Sequence, residues 1–444
     1  MKLLSITILG AFAAATFGCG GGSASGNGEG VTDDHGNVIT TAGGTAVTEE
    51  AHNRWQAALA RFQQVDGTGA WNSENCSGVM DAFDAAVDAQ GGSFTEALYM
   101  EGVVAQRCGD DDEARSFYNR ALESNQTFCK ARAAIGTMQL TAGQTQAAEQ
   151  TFRRALTDDT RCTEAYVNIA VIQRQRGGAD VREALNNLRR ALAIDANYLP
   201  AFNQMALLYL ELSRESDNIQ MLDLAGVVCR QAQLLDANYA PIYNTWGLIN
   251  MRQDNLIEAL RFFERAVRLD NDMFSAHMNF GEITISFRGY EDAKTSFTRA
   301  TELRPNDYDA HIGLGAALRG LRQMPLAKAE YERAIQIDGN RPEAYFNLGL
   351  LYQDYMDGTV PQLRQAKTYY EQFLAKAGSN ERYTETRENL QRRCRQQRSG
   401  RGRSRRRSSD CRPGRLQNIN TAIEALTAQA DMLRLQQQQE GGGN

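Results

Sequence analysis

Eight cysteines, four histidines and one dense run of arginines are the residues of this 444-residue chain with chemistry to offer. Six cysteines stand in spaced pairs: Cys76 with Cys108, Cys129 with Cys162, and Cys394 with Cys411. Each pair can form a disulfide if its backbone positions close to about 6 Å between Cα atoms. Eleven arginines fall between Arg392 and Arg415, with Asp410 the only acid, so the segment carries +10 while the whole chain carries −6. The remainder is therefore strongly acidic. Arginine's planar fork suits phosphate oxygens, and such a run is extended by its own repulsion. Asp33, Asp34 and His35 form a short acid-histidine cluster, but no further metal ligand stands near them, which favours a solvated turn. His277 and His311 are 34 residues apart. They occupy equivalent places in a repeat, where other copies carry Tyr166, Phe202, Tyr243 and Tyr345, and this equivalence favours packing. No Ser, His and acid set, no paired carboxylates and no glycine-rich phosphate loop after a strand are written here. The expectation is a chain without catalytic, cofactor-binding or metal residues, and not an enzyme.

The elements that must carry these residues follow one motif written eight times. Ala114, Ala148, Ala184, Ala225, Ala259, Ala293, Ala327 and Ala366 each open it, at steps of 34, 36, 41, 34, 34, 34 and 39 residues. Four residues on stands Tyr118, Phe152, Leu188, Cys229, Phe263, Phe297, Tyr331 or Tyr370. Seven on stands an alanine, or Phe373 in the last copy. Twelve before the alanine stand Gly102, Gly136, Gly247, Gly281 and Gly315. Residues at these offsets lie on one helical face, and the small ones sit where two helices cross. The 34-residue period with this small-and-large spacing resembles the tetratricopeptide repeat. That resemblance implies an all-α, right-handed superhelical solenoid of about eight helix pairs over 95–382. The extra residues of the longer copies belong in the turns at Gly177–Asp180, Ser213–Met221 and Met356–Leu363.

Residues 50–94 read as a degenerate capping pair, with Trp55, Leu59 and Phe62 on one helix and Val79, Phe83 and Ala86 at the repeat offsets on the other. Residues 1–18 read as an export signal: Lys2, then an apolar run from Leu3 to Phe17. The "TFGC" ending resembles the lipobox of bacterial lipoproteins, with Thr16 where leucine is usual. This implies acylation of Cys19, and Gly20 after it implies sorting to the outer membrane, facing the periplasm. Residues 19–49 then form a lipidated Gly-rich tether, and 383–415 an arginine-rich disordered linker. Residues 416–444 form an amphipathic helix and tail, with Leu416, Ile419, Ile423, Leu426, Ala430 and Leu433 as its seam. That helix either docks on the end of the array, joins another helix, or stays unpacked.

In tetratricopeptide arrays the first helices line a concave groove. Carried onto this sequence, the groove positions are Val171, Leu207, Leu210, Leu248, Met251, Ile285 and Leu350, with Asn168, Asn279, Glu282, Arg319 and Asn347 beside them. Apolar residues there point to a protein partner. The basic residues available for a peptide carboxylate (Lys130, Arg174, Arg252 and Arg319) are too scattered for the family's carboxylate clamp. Export excludes nucleic acid as a partner and leaves an anionic envelope lipid or polymer for Arg403, Arg405, Arg406 and Arg407. The layout resembles the tetratricopeptide lipoprotein of the adventurous gliding motility apparatus of myxobacteria. What this implies is a non-catalytic outer-membrane scaffold joining other subunits of an envelope-spanning machine. The alternatives are a pilotin-type lipoprotein for pilus or secretin assembly, or a non-catalytic subunit of a cell-wall or glycan-modifying enzyme.

Overall fold

The computed structural model describes residues 30–33, 37–216, 218–392 and 414–441. Cys19, Cys394, Cys411 and Arg403, Arg405, Arg406 and Arg407 lie outside them. The chain divides into two units, Met1–Asp272 and Met273–Asn444.

In the first unit six helix pairs follow one another. They are α1 (Glu49–Thr68) with α2 (Ser73–Ala89), α3 (Thr95–Arg107) with α4 (Asp111–Ser124), and α5 (Cys129–Thr141) with α6 (Thr145–Asp158). Then come α7 (Thr163–Arg176) with α8 (Asp180–Ile194), α9 (Leu199–Ser216) with α10 (Gln220–Leu235), and α11 (Ala240–Arg252) with α12 (Leu256–Leu269). The second unit has α13 (Phe274–Ser286) with α14 (Tyr290–Leu303), α15 (Tyr308–Gly320) with α16 (Met324–Ile337), and α17 (Glu343–Asp354) with α18 (Val360–Ala377). A 3₁₀ turn (Glu381–Tyr383), α19 (Thr384–Gln391) and α20 (Arg415–Gly441) complete it. No described helix is long and apolar enough to cross a membrane.

Every residue of the repeated phrase is buried, from Ala114, Tyr118 and Ala121 to Ala366, Tyr370 and Phe373. The crossing geometry explains the glycines. A Cβ on Gly247 would stand 2.4 Å from Phe263 Cε1, and one on Gly349 would stand 2.5 Å from Tyr370 Cε1. The aromatic of the second helix thus lies flat on the bare backbone of the first, filling space that a methyl group would occupy. Five second helices, α6, α8, α10, α12 and α16, close on an aspartate. The carboxylates of Asp195, Asp236, Asp270 and Asp338 each accept the backbone N–H two residues on, at 2.7–3.0 Å. These Asx turns are the physical content of the "IDANY" and "LDANY" phrases.

Four details depart from the sequence reading. The long loop expected at 65–75 is short, because α1 runs to Thr68, ends on left-handed Gly69, and Asn72 caps α2. The extra residues of the 41-residue copy partly lengthen α9, which reaches Ser216. Residues 384–391, expected within a disordered linker, form α19, with Leu390 buried.

The fourth concerns the described part of the expected tether. Residues 37–47 are folded against the first repeats, with bridges Thr32–Val38 and Thr40–Ala46 and Val47 and Thr41 buried. Val47 supplies the apolar anchor that the composition hid among glycines and threonines. Side chains of the helix turns satisfy the backbone of this strap. Gln90 accepts from Thr48 N at 3.0 Å and donates to Ala46 O at 2.8 Å. Glu96 accepts from Ala42 N at 2.7 Å, and Asn125 donates to Ala42 O at 2.8 Å.

Of the three placements open for the C-terminal helix, docking holds for its first turns. Ile419 is buried, and Leu416 and Ile423 pack on the cluster of Tyr370, Phe373 and Leu390. Arg415 pairs with Asp354 at 2.7 Å. Gly414 N donates to Arg392 O at 2.8 Å. A Cβ on Gly414 would stand 2.6 Å from Asn389 O, so only glycine fits this close approach. Farther along, Leu426 and Met432 are exposed.

Candidate functional site

The first helix of each pair presents the candidate groove residues, and in the first unit the structure sorts them. Val171, Leu210 and Asn168 are buried. They are packing residues and not open surface, a correction to their assignment. Within α9, Ser213 donates to Leu210 O at 2.6 Å. The Asn168 amide turns onto its own helix and donates to Glu164 O at 2.9 Å. Leu207, Leu248 and Met251 remain half-exposed.

Adjacent repeats are tied by polar contacts. Thr245 on α11 donates to Asn203 on α9 at 2.6 Å, and Arg174 on α7 pairs with Glu211 on α9. Gln204, one turn before Leu207, holds a buried amide oxygen that meets no donor among the described residues.

In the second unit Glu282 is exposed, and Asn279 and Ile285 are half-buried. Arg319 is already engaged: it donates to Asn347 Oδ1 at 2.9 Å and lies over the Tyr355 ring. Asn347 in turn donates to Glu343 O at 3.0 Å. Leu350 packs in the cluster closed by Leu416, Ile419 and Ile423. Leu350 itself stays half-buried.

His277 and His311 pack. His311 bridges Glu330 Oε2 at 2.6 Å and Pro305 O at 3.0 Å, and His277 is buried.

The structure bonds Cys76 at the start of α2 to Cys108 at the end of α3, and Cys129 at the start of α5 to Cys162 just before α7. Their Cα separations are 6.0 Å and 5.9 Å. Each bridge therefore staples consecutive pairs at one end. Cys229 is buried and free, and burial pushes its thiol well up. Cys129, Cys162 and Glu164 are the one group of three metal-type ligands close together among the described residues. Their disulfide occupies both sulfurs, so the arrangement is a crosslink beside a carboxylate.

Two carboxyls stand out electrostatically. Burial pushes Glu101 up to about 8, opposed by Arg120 and helped by Asp84, Asp88 and Glu113. Neither of its oxygens has a hydrogen-bond partner among the described residues, and Arg120 approaches only to 3.7 Å. Burial also raises Glu149, but hydrogen bonds from Arg176 and Arg153 outweigh it and hold the carboxyl below its usual range. Sequence reasoning missed Glu101. The signal was there, an acid one residue before the crossing glycine on a helix whose other inward positions are apolar.

Comparison with known proteins agrees with this architecture. Two family models, both described as Tetratricopeptide repeat, match residues 285–342 and 95–128. A search of curated proteins returned no relative. Among solved structures, the APC/C hetero-tetramer Cut9–Hcn1 superimposes with a TM-score of 0.52 at 14% identity, over 68% of this chain and 55% of that one. A thermophilic TPR protein of Thermus thermophilus gives 0.39 at 23% identity, over 43% of this chain and 99% of that one. PilF of Pseudomonas aeruginosa gives 0.41 at 20% identity, over 51% and 96%. The chain carries tetratricopeptide repeats, built as consecutive packed helix pairs of the kind that serve as protein-interaction scaffolds.

Proposed function

We propose that this chain is a non-catalytic scaffold of the cell envelope, held to the outer membrane by acylation of Cys19, and that it binds another subunit of an envelope-spanning machine. The gliding motility apparatus is the machine its layout fits best. The observation that carries the binding reading is the half-exposed apolar pair Leu207 and Leu248, on first helices of consecutive repeats, beside the unpaired amide oxygen of Gln204. An apolar strip with a waiting acceptor suits an extended or helical segment that brings a donor. The anchor reading rests on the sequence before Gly20.

The arginine segment supplies a second contact, to anionic envelope lipid or polymer, through Arg403, Arg405, Arg406 and Arg407. In support, the Gly414 to Arg392 hydrogen bond pins the two residues that flank this segment side by side. That is the closure a Cys394–Cys411 bridge would need.

The test of the binding reading is co-purification from envelope extracts with Leu207→Asp and Leu248→Asp combined. The expected result is loss of the partner with unchanged helical circular dichroism. Full recovery of the partner by the folded double variant would place the binding surface elsewhere.

A further inference from the structure

The two disulfides differ in what stands beside them. Glu164 Oε2 lies 4.0 Å from Cys129 Sγ and 3.9 Å from Cys162 Sγ. No comparable carboxylate closes on Cys76 and Cys108 among the described residues. Nor does any basic side chain among them form an ion pair with Glu164. Cys129 opens α5, Cys162 caps α7, and Glu164 lies in the first turn of α7. A sulfur at a helix N-terminus is favoured as its thiolate. A crosslink has no use for a carboxylate, and two thiolates would repel one. A cation held among the three accounts for all of them.

We propose that, in the dithiol form, Cys129, Cys162 and Glu164 are the three protein ligands of a thiophilic divalent cation of the zinc class, with water in the fourth position. Zinc takes thiolate sulfur at about 2.3 Å and carboxylate oxygen at about 2.0–2.2 Å, so a tetrahedral site needs S···O edges of about 3.6 Å and an S···S edge of about 3.8 Å. The two S···O distances exceed that by only about 0.3–0.4 Å. Once the bridge opens, rotation about Cα–Cβ parts the sulfurs, since the Cα atoms stand 5.9 Å apart. Thr163 donates to Glu164 Oε2 at 3.1 Å and so orients the carboxylate. Both cysteines are buried, and the half-exposed Glu164 gives the ion its way in. Two thiolates among three ligands select against magnesium and calcium.

The exchange between the two forms balances. A dithiol passes two electrons and two protons to the bridge and leaves as its own disulfide. The cation then displaces the two thiol protons to solvent. It ties the start of α5 to the start of α7, as the disulfide does, so this staple survives reduction. Cys76–Cys108, without a third ligand, has no such substitute. The site depends neither on the groove nor on the anchor.

The experiment uses the full chain with Cys19, Cys394 and Cys411 changed to Ser, reduced by a dithiol that is then removed without air. Zn²⁺ is titrated against a chromophoric chelator, and Co²⁺ in a second sample reads the thiolate-to-metal absorption band. The reduced chain should bind one Zn²⁺ and show that band with Co²⁺, and the oxidised chain should do neither. Cys129→Ser should abolish binding, and Cys76→Ser should leave it unchanged. Glu164→Gln keeps both thiols and should weaken binding at least about tenfold (about 1.4 kcal/mol). Circular dichroism checks that each reduced protein is folded. A reduced parent that loses its helices and does not regain them with Zn²⁺ overturns the proposal. So does a folded reduced parent that binds no Zn²⁺, or binding that Glu164→Gln leaves intact, or binding that Cys76→Ser removes.

Discussion

Glu101 makes the sharpest single demand on this fold. It sits fully buried on α3, between α2 and α4, with no hydrogen bond to either oxygen among the described residues. The groups facing it are Asp84 and Asp88 from α2, and Glu113 and Arg120 from α4. Burial raises its proton affinity from 4.5 to about 8, whereas in the unfolded chain it returns to the ordinary carboxylate range. Between those values the folded chain binds the proton and the unfolded chain does not. Stability therefore falls as pH rises through the window and is fully present only below it. At 1.36 kcal/mol per unit the whole shift is worth about 5 kcal/mol. Rearrangement of Arg120 toward an ionised Glu101 would reduce that to a few. Glu101→Gln removes the titration while keeping shape. All three tryptophans, Trp55, Trp71 and Trp246, lie in the first unit, so their fluorescence in urea reports it. The parent should lose at least about 2 kcal/mol between pH 5 and 8.5, and Glu101→Gln should lose much less. Equal losses in the two proteins would refute the account of Glu101 as a neutral buried acid.

Two further outcomes follow from the packing and from the proposed anchor. Gly247→Ala gains about 1 kcal/mol of helix propensity, but its methyl group meets Phe263 at 2.4 Å. Overpacking of that kind costs about 1–3 kcal/mol, so the variant should melt earlier, whereas Gly226→Ala in α10, with nothing within 4 Å of the new methyl group, should melt later. Calorimetry decides, and a stabilised Gly247→Ala would contradict the flat-ring packing. In envelope fractionation, Cys19→Ser should abolish salt-resistant membrane association. The residual salt-sensitive binding should vanish when Arg403, Arg405, Arg406 and Arg407 are changed to Gln. A Cys19→Ser chain still in the outer membrane at high salt would end the lipoprotein reading.

What the sequence disclosed, and what it withheld, follows from how local each signal is. The helix pairs were legible because Ala114, Tyr118, Ala121 and their counterparts repeat a contact that stacking makes obligatory. The capping pair was legible by the same offsets at Val79, Phe83 and Ala86. The strap over the first repeats was not, since its bonds run from backbone groups to Gln90, Glu96 and Asn125, none adjacent in sequence. Val171, Leu210 and Asn168 were misplaced because repeat position says which way a residue points and not how deeply its neighbours bury it. Cys229 was legible as a buried thiol because it takes the aromatic place in its repeat.

The claim that the first helices of these repeats hold a partner can be tested where the protein works. A photo-crosslinking residue at position 248, on the proposed groove side of α11, is compared with one at position 261, on the exposed side of α12. Both are expressed in the native envelope and checked for equal abundance. The account predicts one discrete adduct to another envelope protein from position 248 and none from position 261. Equal crosslinking from both sites, or none from 248 while the chain is present at its normal level, would contradict it.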